Sequence, residues 1–361
     1  MNKATHTTPN RYTKIYLRWL TLTLFLTFDL IVFGAYVRLS DSGLGCPDWP
    51  GCYAQATPWH AQTYITLEES LRPDGAVTHF KAWIEMIHRY VATILGVLCI
   101  ALLGMAIKWR AYLSIGYKLA AFILFWICLQ GAFGMWTVTL KLMPIVVTAH
   151  LLGGLVLLSL LVWQHTRLAV RSMPPIADDN SPYTVWIKWV GLFLLALAIQ
   201  ITLGGWVSTN YAAIACTTIP LCQGVWIPEM NFAKGFTLWR DLGATGTTGE
   251  WLPFSALVAI HWVHRMSAVA VMLIALLVLL KLKRASLFKK YRRGIMAVLT
   301  VQILTGISTV FFGYPLLAAV LHTAGAAILI MLTIRLLALM YEIKRYTYQS
   351  KMITPLQSSH D

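Results

Sequence analysis

Five histidines lie inside stretches that are otherwise almost free of charge: His88, His150, His261, His264 and His322. Ionisable side chains at membrane depth are costly and rare, so their default reading is functional. A lone imidazole there most simply hydrogen-bonds a neighbouring helix. Four of these five fall into a pattern, because His88 and His150 recur as His264 and His322 at offsets of 176 and 172. At a 1.5 Å rise, all lie about 9–15 Å from the same end of their apolar segments. Two histidines on two helices of a bundle, at matched depth, suit the two axial positions of one haem. A zinc site wants more protein ligands than two.

The histidines have informative neighbours. Arg89 and Arg265 follow His88 and His264 directly and are candidates to pair with haem propionates or with acidic loop residues. Three residues before the histidine stands Glu85 in one case and His261 in the other. Residues at i and i+3 share a helix face, with Cβ atoms about 5–6 Å apart. If His88 binds iron, Glu85 points toward the edge of the macrocycle and could accept a proton there. The competing reading is an ion pair with Arg89 or Lys81 at the interface. Asp29 falls near the middle of another apolar stretch, as a proton-path residue or a hydrogen-bonding partner of a neighbouring helix.

Helices must carry these groups. Hydrophobic residues are 58% of the chain and charged residues 12%, with a mean hydropathy of +0.66, which excludes a soluble protein. Eight segments are long enough to cross a hydrocarbon core: 19–37, 82–107, 116–137, 145–164, 185–207, 254–280, 295–312 and 315–340. The first is preceded by Lys14 and Arg18 but is too long for a signal peptide, so it reads as a retained anchor. The net charge of +15 is a topology signal, not a nucleic-acid footprint. Seven basic residues, Lys281, Lys283, Arg284, Lys289, Lys290, Arg292 and Arg293, crowd one connection on the N-terminal side. The positive-inside rule then places both termini in the cytoplasm and the histidines near the outer face.

Two long outer loops share a second pattern. Gly34-Ala35-Tyr36-Val37 leads to Cys46-x5-Cys52, and Gly204-Gly205-Trp206-Val207 leads to Cys216-x5-Cys222, all at an offset of 170. Gln130 and Gln302, at offset 172, read as residues that stitch helices together. The chain is thus expected to be an all-α membrane protein of two parallel four-helix-bundle repeats. Residues 1–170 and 185–345 form the repeats, 171–184 a linker containing Pro174-Pro175 and Asp178-Asp179, and 346–361 a tail. On the oxidising side, each cysteine pair reads first as a disulfide, with a redox role as the alternative. Cys99 and Cys128, inside spans, read as small hydrophobes.

Several motifs together resemble the haem A synthase family. They are Gly34-Ala35-Tyr36-Val37-Arg38, Ser42-Gly43-Leu44-Gly45-Cys46-Pro47-Asp48-Trp49-Pro50-Gly51-Cys52, Glu85-Met86-Ile87-His88-Arg89-Tyr90, Thr148-Ala149-His150 and His261-Trp262-Val263-His264-Arg265. The resemblance spans roughly residues 15–345. It implies oxidation of the C8 methyl of haem O to a formyl group, by two successive two-electron oxidations. It also implies haem O held between His88 and His150, Glu85 essential for chemistry, and a haem b cofactor between His264 and His322. A haem O synthase is the implied partner, the electron acceptor is open, and the bacterial inner membrane is the implied location. Two other classes compete. A di-haem b-type electron carrier would use the four histidines but not Glu85, and a haem chaperone or exporter would hold haem loosely.

Overall fold

The computed structural model describes residues 10–73, 75–172, 182–242 and 251–357. Eight long helices are apolar and long enough to cross a membrane. They are α1 (Arg11–Leu39), α3 (His79–Lys108), α4 (Lys118–Thr139), α5 (Pro144–Arg171), α6 (Tyr183–Thr209), α8 (Phe254–Lys281), α9 (Lys289–Phe311) and α10 (Leu316–Gln357). Two short helices, α2 (Gln62–Leu71) and α7 (Phe232–Gly235), lie in the long loops. The protein is a multi-pass, all-helical integral membrane protein, and no strand occurs among the described residues.

Local signals set the helix ends. The Asn10 side chain accepts the Thr13 N–H at 2.8 Å, and the Thr78 hydroxyl accepts the Lys81 N–H at 3.2 Å. Pro144 opens α5, where its missing N–H costs nothing. Arg38, Lys108, Arg171 and Lys281 sit in last turns, where a cation complements the helix dipole. Every expected span is a helix, but α10 runs well past residue 340, into the segment expected as a tail. Pro174-Pro175 and Asp178-Asp179 lie outside the described residues.

In the first half, α1 packs on α3 and α5, and α4 on α3 and α5. In the second, α6 packs on α8 and α10, and α9 on α10. The halves meet through α5, α6, α10 and α1. Eight crossings return the chain to its starting face, so loops 40–78 and 210–253 share the opposite one, here termed the loop face. Apolar clusters fill the rest. One contains Tyr16, Leu20, Leu102 and Leu161, and another contains Phe193, Trp186, Phe288 and Leu336.

An ion cluster clasps the halves near the face that carries the chain ends. Glu342 of α10 is 5% exposed and accepts from Arg167 Nε at 2.7 Å and Arg171 Nε at 2.9 Å, both on α5. Arg171 also donates to the Ser114 carbonyl, tying in the α3–α4 connection. Removing the carboxylate strands two arginines, and breaking a buried pair costs about 3–5 kcal/mol. Glu342→Ala should therefore lower the thermal unfolding midpoint in detergent by several degrees. An unchanged midpoint would mean the clasp is solvated and inert.

Candidate functional site

The two cysteine pairs are disulfides, Cys46–Cys52 and Cys216–Cys222. Each closes a small loop whose backbone repeats 170 residues on, with an antiparallel bridge between Cys52 and Gln55 and another between Cys222 and Val225. Each loop is fastened to the helix that carries a histidine. Glu85 Oε2 accepts the Cys46 N–H at 2.9 Å, and His261 Nδ1 accepts the Cys216 N–H at 3.2 Å. The arginines complete the fastening. Arg89 donates to the carbonyls of Asp48 (2.9 Å) and Gly51 (2.6 Å), and Arg265 to those of Thr218 (2.7 Å) and Cys216 (2.7 Å).

This gives the sequence candidates more definite surroundings. Glu85 is 4% exposed and forms the ion pair with Arg89 that stood as the alternative to its catalytic reading. Lys81 goes elsewhere, to the Gly75 carbonyl. His261 Nδ1 accepts the Cys216 N–H, and Arg265 lies beside the other side of the ring. Asp29 is exposed and makes no hydrogen bond or ion pair among the described residues. Cys99 is buried and Cys128 exposed, both as free thiols.

The four patterned histidines come together as two pairs. His88 on α3 is close enough to His150 on α5 to interact electrostatically, and His264 on α8 is in the same relation to His322 on α10. All four are half-buried. Each ring lies against a glycine of an adjacent helix. A methyl group built on Gly34 would stand 2.9 Å from His88 Nε2. On Gly134 it would be 3.6 Å from His150 Cε1, on Gly204 3.1 Å from His264 Cε1, and on Gly306 3.3 Å from His322 Cε1. The bare backbone therefore gives His88, His264 and His322 room that a side chain would take, whereas Gly134 stands at ordinary contact distance from His150.

Supporting groups then differ from one histidine to the next. His264 Nδ1 lies 3.1 Å from the Gln200 amide, and His322 Nδ1 lies 2.9 Å from Thr305 Oγ1. His150 Nδ1 is buried without a hydrogen-bond partner among the described residues. Gln302 does stitch helices, donating to the His322 carbonyl at 2.8 Å. Gln200, Thr305, Gly134 and Gly306 escaped the sequence reading. The glycines could have been found, since Gly134 and Gly306 share the offset of 172 with the histidines they face.

Two imidazoles from two helices would suffice as protein ligands for a group that brings its own equatorial ligands. Among the described residues, no three His, Cys, Asp or Glu side chains converge as a bare metal ion would require. The donor set, the glycines beside the rings and the Thr305 hydroxyl at His322 Nδ1 fit haem.

The sequence matches the COX15-CtaA family, described as cytochrome oxidase assembly protein, over residues 17–334. The chain belongs to this family. It is 41% identical to the haem A synthase of Shewanella oneidensis over 317 residues, covering 87% of this chain and 94% of that protein. It is 28% identical to the haem A synthase of Caulobacter vibrioides, covering 86% of this chain and 92% of that one. With the haem A synthase of Erythrobacter litoralis the identity is 30%, over 88% and 94% of the two chains. The matched stretch holds all four paired histidines, both disulfides and Glu85.

Proposed function

We propose that this protein is a haem A synthase, an oxidoreductase that converts the C8 methyl of haem O into a formyl group by two successive two-electron oxidations. One observation carries the reading: two histidine pairs, each ring beside a glycine, in a chain related along most of its length to proteins of that name. In this reading the chain is two repeats, 1–170 and 185–345. Its termini are cytoplasmic in a bacterial inner membrane, and its haem sites lie near the outer face. Haem O comes from a haem O synthase, and the electrons leave to a separate acceptor.

His88 and His150 hold the substrate, and His264 and His322 hold haem b. Bound haem b supplies one-electron redox chemistry. The chain's own residues do the rest. The two histidine pairs would hold the tetrapyrroles, so the surrounding side chains are left to position the substrate and move protons. Glu85 is the acceptor for protons released as the methyl is oxidised. The Cys46 N–H and the Arg89 guanidinium engage its two carboxyl oxygens and so fix where those protons would be received. The disulfide loop fastened by Glu85 and Arg89 is tied to the helix that carries His88.

The test is extraction and chromatography of haems from cells expressing this chain with a haem O source. Haem A should appear. Haem b and unmodified haem O alone, from folded protein, would instead favour an electron carrier. Gly34→Ala provides a second check, because its methyl would meet His88 Nε2 at 2.9 Å. Overpacking costs about 1–3 kcal/mol, a roughly 5- to 150-fold loss of affinity at the first site. Equilibrium haem titration of a second-site-loaded protein would read it, and unchanged affinity would remove the glycine from the site.

A further inference from the structure

Among the differences between the two histidine pairs is what holds the later histidine of each. His322 faces Thr305 on α9, with Nδ1 2.9 Å from Oγ1. The Thr305 hydroxyl donates to the Val301 carbonyl at 2.8 Å, which leaves a lone pair to accept the Nδ1–H of His322. That arrangement sets the tautomer and the ring orientation together. The proton stays on Nδ1, and Nε2 presents its lone pair to iron. Gln302, three residues before Thr305, holds the main chain of His322 as well.

In the first half a glycine again lies beside the ring and the holder is missing. Gly134 lies against His150 as Gly306 lies against His322. Gln130 stands at the position of Gln302, but 172 residues before Thr305 the chain has Phe133. Phenylalanine offers no acceptor, and its ring packs edge-on against Trp136 at 5.2 Å. The His150 Nδ1 is buried with no partner among the described residues. A buried ring nitrogen without an acceptor fixes neither tautomer nor rotation, so His150 is the least constrained of the four.

We infer that Thr305 locks His322 and makes the second site retentive, while Phe133 leaves His150 as the releasable ligand through which the first site exchanges its tetrapyrrole. The inference rests on the haem reading above and adds a division of labour to it. An enzyme whose substrate and product are both haems must let one leave after each cycle, and two locked axial ligands would oppose that. Release breaks one coordination bond, with the electron pair staying on His150 Nε2, so no oxidant or reductant is needed.

The test uses the full-length chain in detergent, loaded with haem b at both sites and challenged with excess apomyoglobin. Haem loss should run in two phases, the fast one abolished by His150→Ala and the slow one by His322→Ala. Loss of an outer hydrogen-bond partner typically weakens a metal site about 10- to 100-fold. Thr305→Val should accelerate the slow phase by about that factor, and Thr305→Ser, which keeps the hydroxyl, should restore it. Phe133→Thr should slow the fast phase. A slow phase indifferent to Thr305→Val, or a fast phase indifferent to Phe133→Thr, would overturn the inference even with both sites loaded. Absence of histidine-dependent haem uptake at either site would instead overturn the haem reading beneath it.

Discussion

Glu85→Gln is expected to stop formation of the formyl product while leaving the fold and both haem sites intact. A positioned general base contributes about 10²–10⁴-fold, so residual turnover should be at or below about one per cent. Glutamine is the informative replacement because its amide oxygen can still accept the Cys46 N–H that Glu85 accepts at 2.9 Å. The disulfide loop thus keeps one of its fastenings, and Arg89 keeps its bonds to the Asp48 and Gly51 carbonyls. What is lost is the negative charge and the proton-accepting oxygen. Total haem by pyridine haemochrome and product by chromatography separate the two effects. Unimpaired haem A formation would confine Glu85 to holding the loop, which is the role His261 plays for Cys216 in the second half.

The largest change in bound cofactor should follow His322→Ala. Removing one of two axial ligands deletes a coordination bond and leaves Thr305 Oγ1 without its ring partner. The absorption bands of a low-spin, doubly ligated haem should disappear from the purified protein, and its haem content should fall by about half. His264→Ala should do the same, since Gln200 and Gly204 support a ring that would no longer exist. His261→Ala is the control that gives these results meaning. It lies three residues from His264, but its Nδ1 serves the loop by accepting the Cys216 N–H. Haem content should survive its loss. A normal spectrum in His322→Ala would contradict the ligand pairing outright.

The membrane architecture was legible in the sequence because the requirement is crude: about 20 apolar residues per crossing. Features set by long-range partners were not. Helix α2 lies in a polar loop where ten residues carry no continuous apolar stripe, and α10 continues because Glu342 is captured by Arg167 and Arg171 from another helix. The four histidines stood out because each is expensive in lipid and each has a counterpart. Thr305 did not, since a threonine in a span ordinarily returns its hydroxyl to its own helix, as this one also does toward Val301. Glu85 was marked by its spacing from His88, but its bond to Cys46 joins a side chain to a main-chain N–H 39 positions away, and no pattern of residue types encodes that.

Helix α10 has one more consequence. Its 42 residues extend about 63 Å, twice the thickness of a hydrocarbon core. His322 sits six residues from its loop-face end, about 9 Å along the axis, and Glu342 about 39 Å along it. The helix is therefore a long rod, pinned to α5 well short of its far end by the arginine clasp. When bilayer thickness changes, the mismatch falls on the long remainder of the rod, where tilt or the protruding turns can absorb it. The depth of His322 is gauged from the near end and stays constant, so this histidine keeps its distance from the aqueous boundary across membranes of different lipid composition.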